Sequence, residues 1–92
     1  WGTPQLTEFT REVLGDLATR DRRGTLRKTL LTFLEAGGSH VAAATKLGIH
    51  RNTLAYRLKQ IAYLTRRDPT EPANHLVLHL ALLAATLPPA VP

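Results

Sequence analysis

The chain has 92 residues, no cysteine, and 12 Lys and Arg against 7 Asp and Glu, which gives a formal net charge of +5. This length favours one small domain with one core, and the lack of cysteine excludes disulfides, thiolate zinc sites and cysteine nucleophiles. No apolar run approaches the roughly 20 residues that span a bilayer, so we expect a soluble, cytoplasmic protein. The basic charge makes nucleic acid, an anionic membrane surface and an acidic protein the candidate partners.

Apolar residues recur at helical intervals along most of the chain, and no segment alternates as a half-buried strand does. These intervals predict helices over residues 6–17, 22–36, 40–47, 51–64 and 72–87. Gly15 is placed to bend or end the first helix, and Asp21 or Thr25 to cap the second. The sequence therefore predicts an all-α fold of about five helices, with residues 1–92 forming a single domain.

The third and fourth predicted helices are joined by a very short turn. Ser39 is a good N-cap for the third helix, and Gly48 supplies the positive φ that a sharp helix exit needs. Ala44 lies four residues before Gly48, where the backbones of a helix-turn-helix cross closely and a small side chain is required. The residues that we expect to pack the two helices together are Ala43, Ala44, Leu47, Gly48, Ile49, Leu54, Leu58 and Ile61.

The other side of the predicted helix 51–64 carries hydrogen-bond donors and cations and no acidic residue, a pattern typical of a surface that meets phosphates and base edges. Arg pairs with guanine, Asn with adenine, and Tyr contacts a thymine methyl group or a phosphate. We therefore expect base contacts from Arg51, Asn52 and Tyr56. The residues that we expect to contact phosphates are Ser39, His40, Lys46, His50, Thr53, Arg57 and Lys59.

Four other interpretations of the polar residues are open. The basic helix face is either a plain solvated surface or a docking site for an acidic protein, in which case the chain is a protein-interaction module. A small nuclease using His40 and His50 lacks clustered carboxylates, so we expect no enzyme activity. His75 and His79 have metal-ligand spacing without a third ligand, so we expect no metal and no cofactor.

The run "HRNTLAYRL" (residues 50–58) is the most specific part of a longer match. Residues 26–87 resemble the C-terminal DNA-binding domain of PucR/CdaR-type bacterial transcriptional regulators, and the resemblance extends over about residues 9–87. It implies a Fis-like helix-turn-helix at the C-terminus of a longer protein whose upstream part senses a signal. Members commonly govern catabolic operons, including those for purine and sugar-diacid use.

Carried over by position, the resemblance implies a DNA-facing segment formed by His50, Arg51, Asn52, Thr53, Tyr56 and Arg57. The family usually continues after this helix with a glycine and an Asp-Leu pair. Here Arg66 takes the glycine position and Pro69 the leucine position. Because residue 1 is Trp rather than Met, we also expect the chain to be a fragment of a longer regulator.

Together these patterns predict a sequence-specific domain for double-stranded DNA, with the helix 51–64 in the major groove. A single small module binds weakly, so we expect a homodimer of the full-length protein that reads two half-sites. An upstream sensor domain is a further expected part, and a membrane is not an expected partner. The predicted last helix is apolar nearly all round, so one side of it is available to a partner subunit or an upstream domain.

Overall fold

A computed structural model describes residues 3–86, with side-chain burial from residue 5 onward. The elements are α1 (Thr3–Leu14), α2 (Leu17–Arg20), α3 (Thr25–Glu35), α4 (His40–Leu47), α5 (Arg51–Thr65), a 3₁₀ helix (Pro72–Asn74) and α6 (His75–Thr86). No strand occurs between residues 3 and 86, which confirms the all-α prediction. Leu87, the predicted end of the last helix, lies outside the described residues.

The first predicted helix is two helices, because the chain leaves the helical path at Gly15. Gly15 has φ +54°, and the next backbone N–H, that of Asp16, donates to the Leu64 carbonyl at 3.2 Å. A Cβ on Gly15 would lie 2.8 Å from that carbonyl oxygen, closer than Cβ atoms come to other atoms in proteins. The close approach of α1 to the end of α5 therefore requires glycine at position 15.

The second predicted helix begins at Thr25 instead of residue 22. Gly24 stands at its N-cap position with φ +74° and offers no side chain to the helix. The carboxylate of Asp21 accepts hydrogen bonds from the backbone N–H groups of Leu26 at 3.0 Å and Arg27 at 2.9 Å. Asp21 is buried and also binds the Arg27 Nε–H at 3.1 Å, so it caps α3 from outside the helix.

The core is built around α3, which packs against α4, α5 and α6, while α1 packs against α6. Each of the longer described helices contributes at least one almost fully buried side chain. The largest almost fully buried apolar side chains of all the helices are Leu14, Leu17, Leu30, Phe33, Leu54, Ile61 and Leu78. Because α3 and α4 hold α5 by its apolar side, the opposite side of α5 faces outward.

The loop after α5 begins with a left-handed residue, Arg66, at the position where the resembled family usually has glycine. Arg66 has φ +59°, and no other non-glycine residue between residues 3 and 86 has a positive φ. The Thr65 hydroxyl donates to the Ile61 carbonyl at 2.8 Å and accepts from the Arg67 N–H at 3.2 Å. These two bonds hold the helix exit even though Arg66 has a Cβ.

Candidate nucleic-acid interface

The helix α4 is capped at both of its ends, and only a short turn separates it from α5. Ser39 is the N-cap of α4, and its hydroxyl accepts from the Ala42 N–H at 3.1 Å. At the other end Gly48 has φ +67°, and the N–H of Ile49 donates to the Ala44 carbonyl at 3.0 Å. The chain therefore passes from α4 into α5 within three residues.

Of the residues predicted to pack the helix-turn-helix, all but Gly48 lie at its inner side. Ala43, Ala44, Leu54, Leu58 and Ile61 belong to the buried core cluster. Leu47 and Ile49 are partly buried and pack against that cluster, and Gly48 occupies the turn. Burial of Leu58 rather than position 57 means that α5 meets the core with a spacing of four residues after Leu54.

His50 has a structural role at the start of α5 besides the phosphate contact predicted for it. It is the N-cap of α5, and its Nδ1 accepts a hydrogen bond from the backbone N–H of Asn52 at 3.0 Å. An accepting Nδ1 carries no proton, so the neutral ring has its N–H at Nε2. The cap therefore leaves one donor on an exposed side chain at the start of α5.

The outward side of α5 is polar along its whole length. Asn52, Tyr56, Lys59 and Tyr63 follow one another at intervals of three and four residues and are all exposed. Tyr56 is 63% exposed, and Arg51 is exposed at the first turn. Thr53 is exposed in the same turn, and no Asp or Glu occurs from residue 51 to residue 65.

Arg57 lies apart from this outward side. It is partly buried, and its Nη1 donates to the hydroxyl of the buried Thr29 on α3 at 3.3 Å. That hydroxyl donates in turn to the Thr25 carbonyl at 2.8 Å. The two residues are 28 positions apart in the chain, so no local pattern indicates this contact. The phosphate role of Arg57 stays a prediction.

The N-terminal end of α4 meets the middle of α5 beside a shallow groove. His40 and Lys59 line it together with Asp68, Thr70 and an apolar floor formed by Ala55, Leu58 and Ala62. Hydrogen bonds from the hydroxyl and the backbone N–H of Thr70 lower the pKa of Asp68 from its ordinary value of 3.8. The groove is therefore lined by a carboxylate as well as by the two basic side chains, which the sequence analysis did not foresee. Lys46, the remaining predicted phosphate contact, is exposed near the end of α4.

A model of the PucR C-terminal helix-turn-helix domain family matches residues 26–84 of the chain. The chain belongs to this family. The carbohydrate diacid regulator of Escherichia coli K12 is 40% identical over 81 residues, which cover 88% of this chain and 21% of that protein. The transcriptional activator PmfR of Paenarthrobacter nicotinovorans is also 40% identical over 81 residues, which cover 87% of this chain and 17% of that protein.

An uncharacterised protein of Mycobacterium tuberculosis H37Rv is 45% identical over 67 residues, which cover 73% of this chain and 16% of that protein. This PucR-type domain thus spans about a fifth or less of the length of these relatives. No solved structure matches it significantly. Family membership confirms the resemblance seen in residues 26–87 and makes the chain a helix-turn-helix domain of the transcription-regulator type.

His75, at the start of the last helix, has structural partners in this PucR-type domain. His75 Nε2 is hydrogen-bonded to the Pro69 carbonyl at 2.8 Å, and its ring stands edge-on to Phe33. Across residues 3–86 no three His, Asp or Glu side chains are grouped as metal ligands. In the same part of the chain, no helix is long and apolar enough to cross a membrane.

Proposed function

We propose that this PucR-type domain binds a specific sequence of double-stranded DNA as part of a bacterial transcriptional regulator, with α5 as the recognition helix in the major groove. The observation that carries the proposal is the outward side of α5, which exposes donors and two cations without one carboxylate while its inner side is fixed in the core. A rigid helix of this kind fits the width of the major groove.

Base recognition falls to the first two turns of α5. Arg51 and Asn52 lie in the first turn, the part of a recognition helix that reaches deepest into the groove. Their side chains offer the paired contacts that distinguish guanine and adenine, and Tyr56 stands one turn further on. Each good bidentate contact contributes about 1–3 kcal/mol to discrimination between bases.

Phosphate contacts come from both sides of this reading surface. The side chains assigned to them are Ser39 and His40 at the start of α4, Lys46, Thr53 and Lys59, and His50 through its Nε2–H. Arg57 uses its Nη1–H for the bond to Thr29, which leaves its other guanidinium N–H groups for a phosphate. Its main role in the bound domain is then to hold α5 against α3, with phosphate contact as a secondary role.

The regulator that contains this domain acts as a homodimer on two half-sites about one helical turn apart. A sensor domain elsewhere in the protein receives the signal, and the whole protein works in the cytoplasm without catalysis by this domain. The regulatory role is supported by two relatives, one named a carbohydrate diacid regulator and the other a transcriptional activator.

Fluorescence anisotropy with duplexes selected from a random pool tests the proposal. The domain should prefer the selected duplex, and its affinity should fall steeply as salt rises, by a log–log slope of about −0.9 for each phosphate contact. Arg11→Ala on α1 is the control, because it removes one positive charge from the helix that packs against α6 and should leave sequence preference unchanged. Equal binding to polyglutamate and to every duplex would instead support the protein-interaction module.

A further inference from the structure

The last helix, α6, has two different faces. Leu78, Ala81 and Leu82 are buried against the rest of the domain, whereas Leu76, Leu80 and Leu83 are 71%, 48% and 48% exposed. We call these three exposed residues the outer leucine row. They are separated by four and then three residues, which places them on one side of the helix.

The spacing of the outer leucine row is that of the core positions of a coiled coil. Leu76, Leu80 and Leu83 correspond to positions d, a and d of a heptad. In the sequence, Leu87 continues the pattern four residues later, outside the described part of the chain. A leucine row with this spacing is self-complementary, because a second copy related by a twofold axis presents the same row.

The charge distribution favours a second copy of the domain over other partners. The sequence of α6 contains no Asp, Glu, Lys or Arg, whereas each of α1 to α5 contains at least one basic residue. Two copies of a chain with net charge +5 repel one another wherever their basic surfaces meet, and least where both present α6. An acidic or basic peptide would find no ion-pair partner on α6.

The size of the outer leucine row sets the strength of the contact. Its exposed apolar area is on the order of 300 Å² per copy, against about 800 Å² per partner in a stable complex. The row is therefore too small to hold two isolated domains together. It is large enough to act when DNA brings two copies side by side at an effective concentration of about 1 mM or more.

We propose that the outer leucine row of α6 is a homotypic contact that makes two copies of this domain bind neighbouring half-sites cooperatively. This proposal rests on the DNA-binding function proposed above. The contact is compatible with DNA binding, because α6 packs mainly against α1 and α3, whereas α5 packs mainly against α3 and α4. Covering the outer leucine row requires no movement of the helix-turn-helix.

The test compares the wild-type domain with Leu80→Gln/Leu83→Gln on duplexes that carry one or two selected half-sites. Wild-type protein should bind the second half-site about 10-fold more tightly than the first. The double variant should lose this difference and bind a single half-site within twofold of wild type. Leu6→Gln on α1, which is 42% exposed and apolar, is the matched control and should stay cooperative.

Leu76→Gln, at the most exposed position of the row, repeats the test if the double variant unfolds. Cooperativity that survives these substitutions would overturn the proposal. Absence of binding to a single half-site would instead refute the proposed function.

In that case sedimentation equilibrium near millimolar protein, without DNA, decides the α6 proposal. Weak self-association of the wild-type domain that the double variant loses would support the α6 proposal. A strictly monomeric wild-type domain would refute it and would indicate that another segment or protein covers the outer leucine row.

Discussion

Two substitutions of His50 distinguish its role as the N-cap of α5 from its proposed contact with DNA. In the structure the imidazole Nδ1 accepts from the Asn52 N–H at 3.0 Å, so His50→Ala leaves one donor of the first turn without its partner. Loss of an N-cap costs about 1 kcal/mol, which lowers the melting temperature of a domain of this size by roughly 4–8 °C. His50→Asn should keep stability within a few tenths of wild type, because Asn is among the best N-caps.

The two variants should also differ in their sequence preference for DNA. His50→Asn keeps the first turn, where Arg51 and Asn52 stand, but its short side chain loses the reach of the Nε2–H. One hydrogen bond to a charged phosphate contributes about 1.5–3 kcal/mol, so every duplex should bind roughly 10-fold or more weakly with preference unchanged. His50→Ala should also lose its preference for the selected duplex, because the first turn of α5 without its N-cap no longer holds Arg51 and Asn52 in position for their base contacts.

Thermal unfolding followed by circular dichroism gives the stability differences, and anisotropy with selected and scrambled duplexes gives the binding differences. An Asn variant as unstable as the Ala variant would show that the Nδ1 bond does not hold α5. An Asn variant that binds all duplexes like wild type would refute the phosphate contact of His50 while leaving the cap intact.

Four further substitutions test the backbone and the loop after α5. Gly15→Ala should lower the free energy of unfolding by about 3 kcal/mol, because a left-handed alanine costs about 1–2 kcal/mol and its Cβ meets a carbonyl oxygen. Gly48→Ala should lower it by only about 1 kcal/mol, because Gly48 has φ +67° but open space around it. Urea unfolding measures both, and equal losses would contradict the close approach. Arg66→Gly should raise the free energy of unfolding by about 0.5–1 kcal/mol by relieving a left-handed residue, and a loss of stability would contradict that strain. Thr70→Val should raise the pKa of Asp68 in an NMR titration. The lowered pKa of Asp68 stabilises the fold above pH 3.8, and this stabilisation is lost as the pH falls further. The variant should therefore be less stable than wild type at neutral pH and equally stable in acid. An unchanged pKa of Asp68 would show that the hydrogen bonds from Thr70 are not the cause of the shift.

The sequence predicted best those features that depend on neighbouring residues. The bounds 40–47 match α4, and the predicted helix 51–64 ends one residue before α5 does, because Ser39 and Gly48 cap or end helices through local hydrogen bonds. The division of the first helix at Gly15 depends on the approach of α5 from 49 residues away, so periodicity alone extended that helix to residue 17.

The candidate site shows the same division between local and distant causes. Arg51, Asn52 and Tyr56 are exposed because the buried leucines of α5 fix which side of the helix faces the core. The inward contact of Arg57 follows from a hydroxyl on α3, and the carboxylate of Asp68 enters the groove from the next loop. Neither has a signal in the residues beside it, so only the folded chain reveals them.

The central claim is that α5 reads bases with its first turn and holds phosphates further along. Anisotropy titrations of Arg51→Ala and Lys59→Ala, on selected and single-base-changed duplexes over a range of salt, test it most directly. Arg51→Ala should reduce discrimination at one position by about 1–3 kcal/mol, whereas Lys59→Ala should weaken all duplexes alike and flatten the salt slope by about one unit. Identical behaviour of the two variants, with discrimination intact in both, would contradict the account.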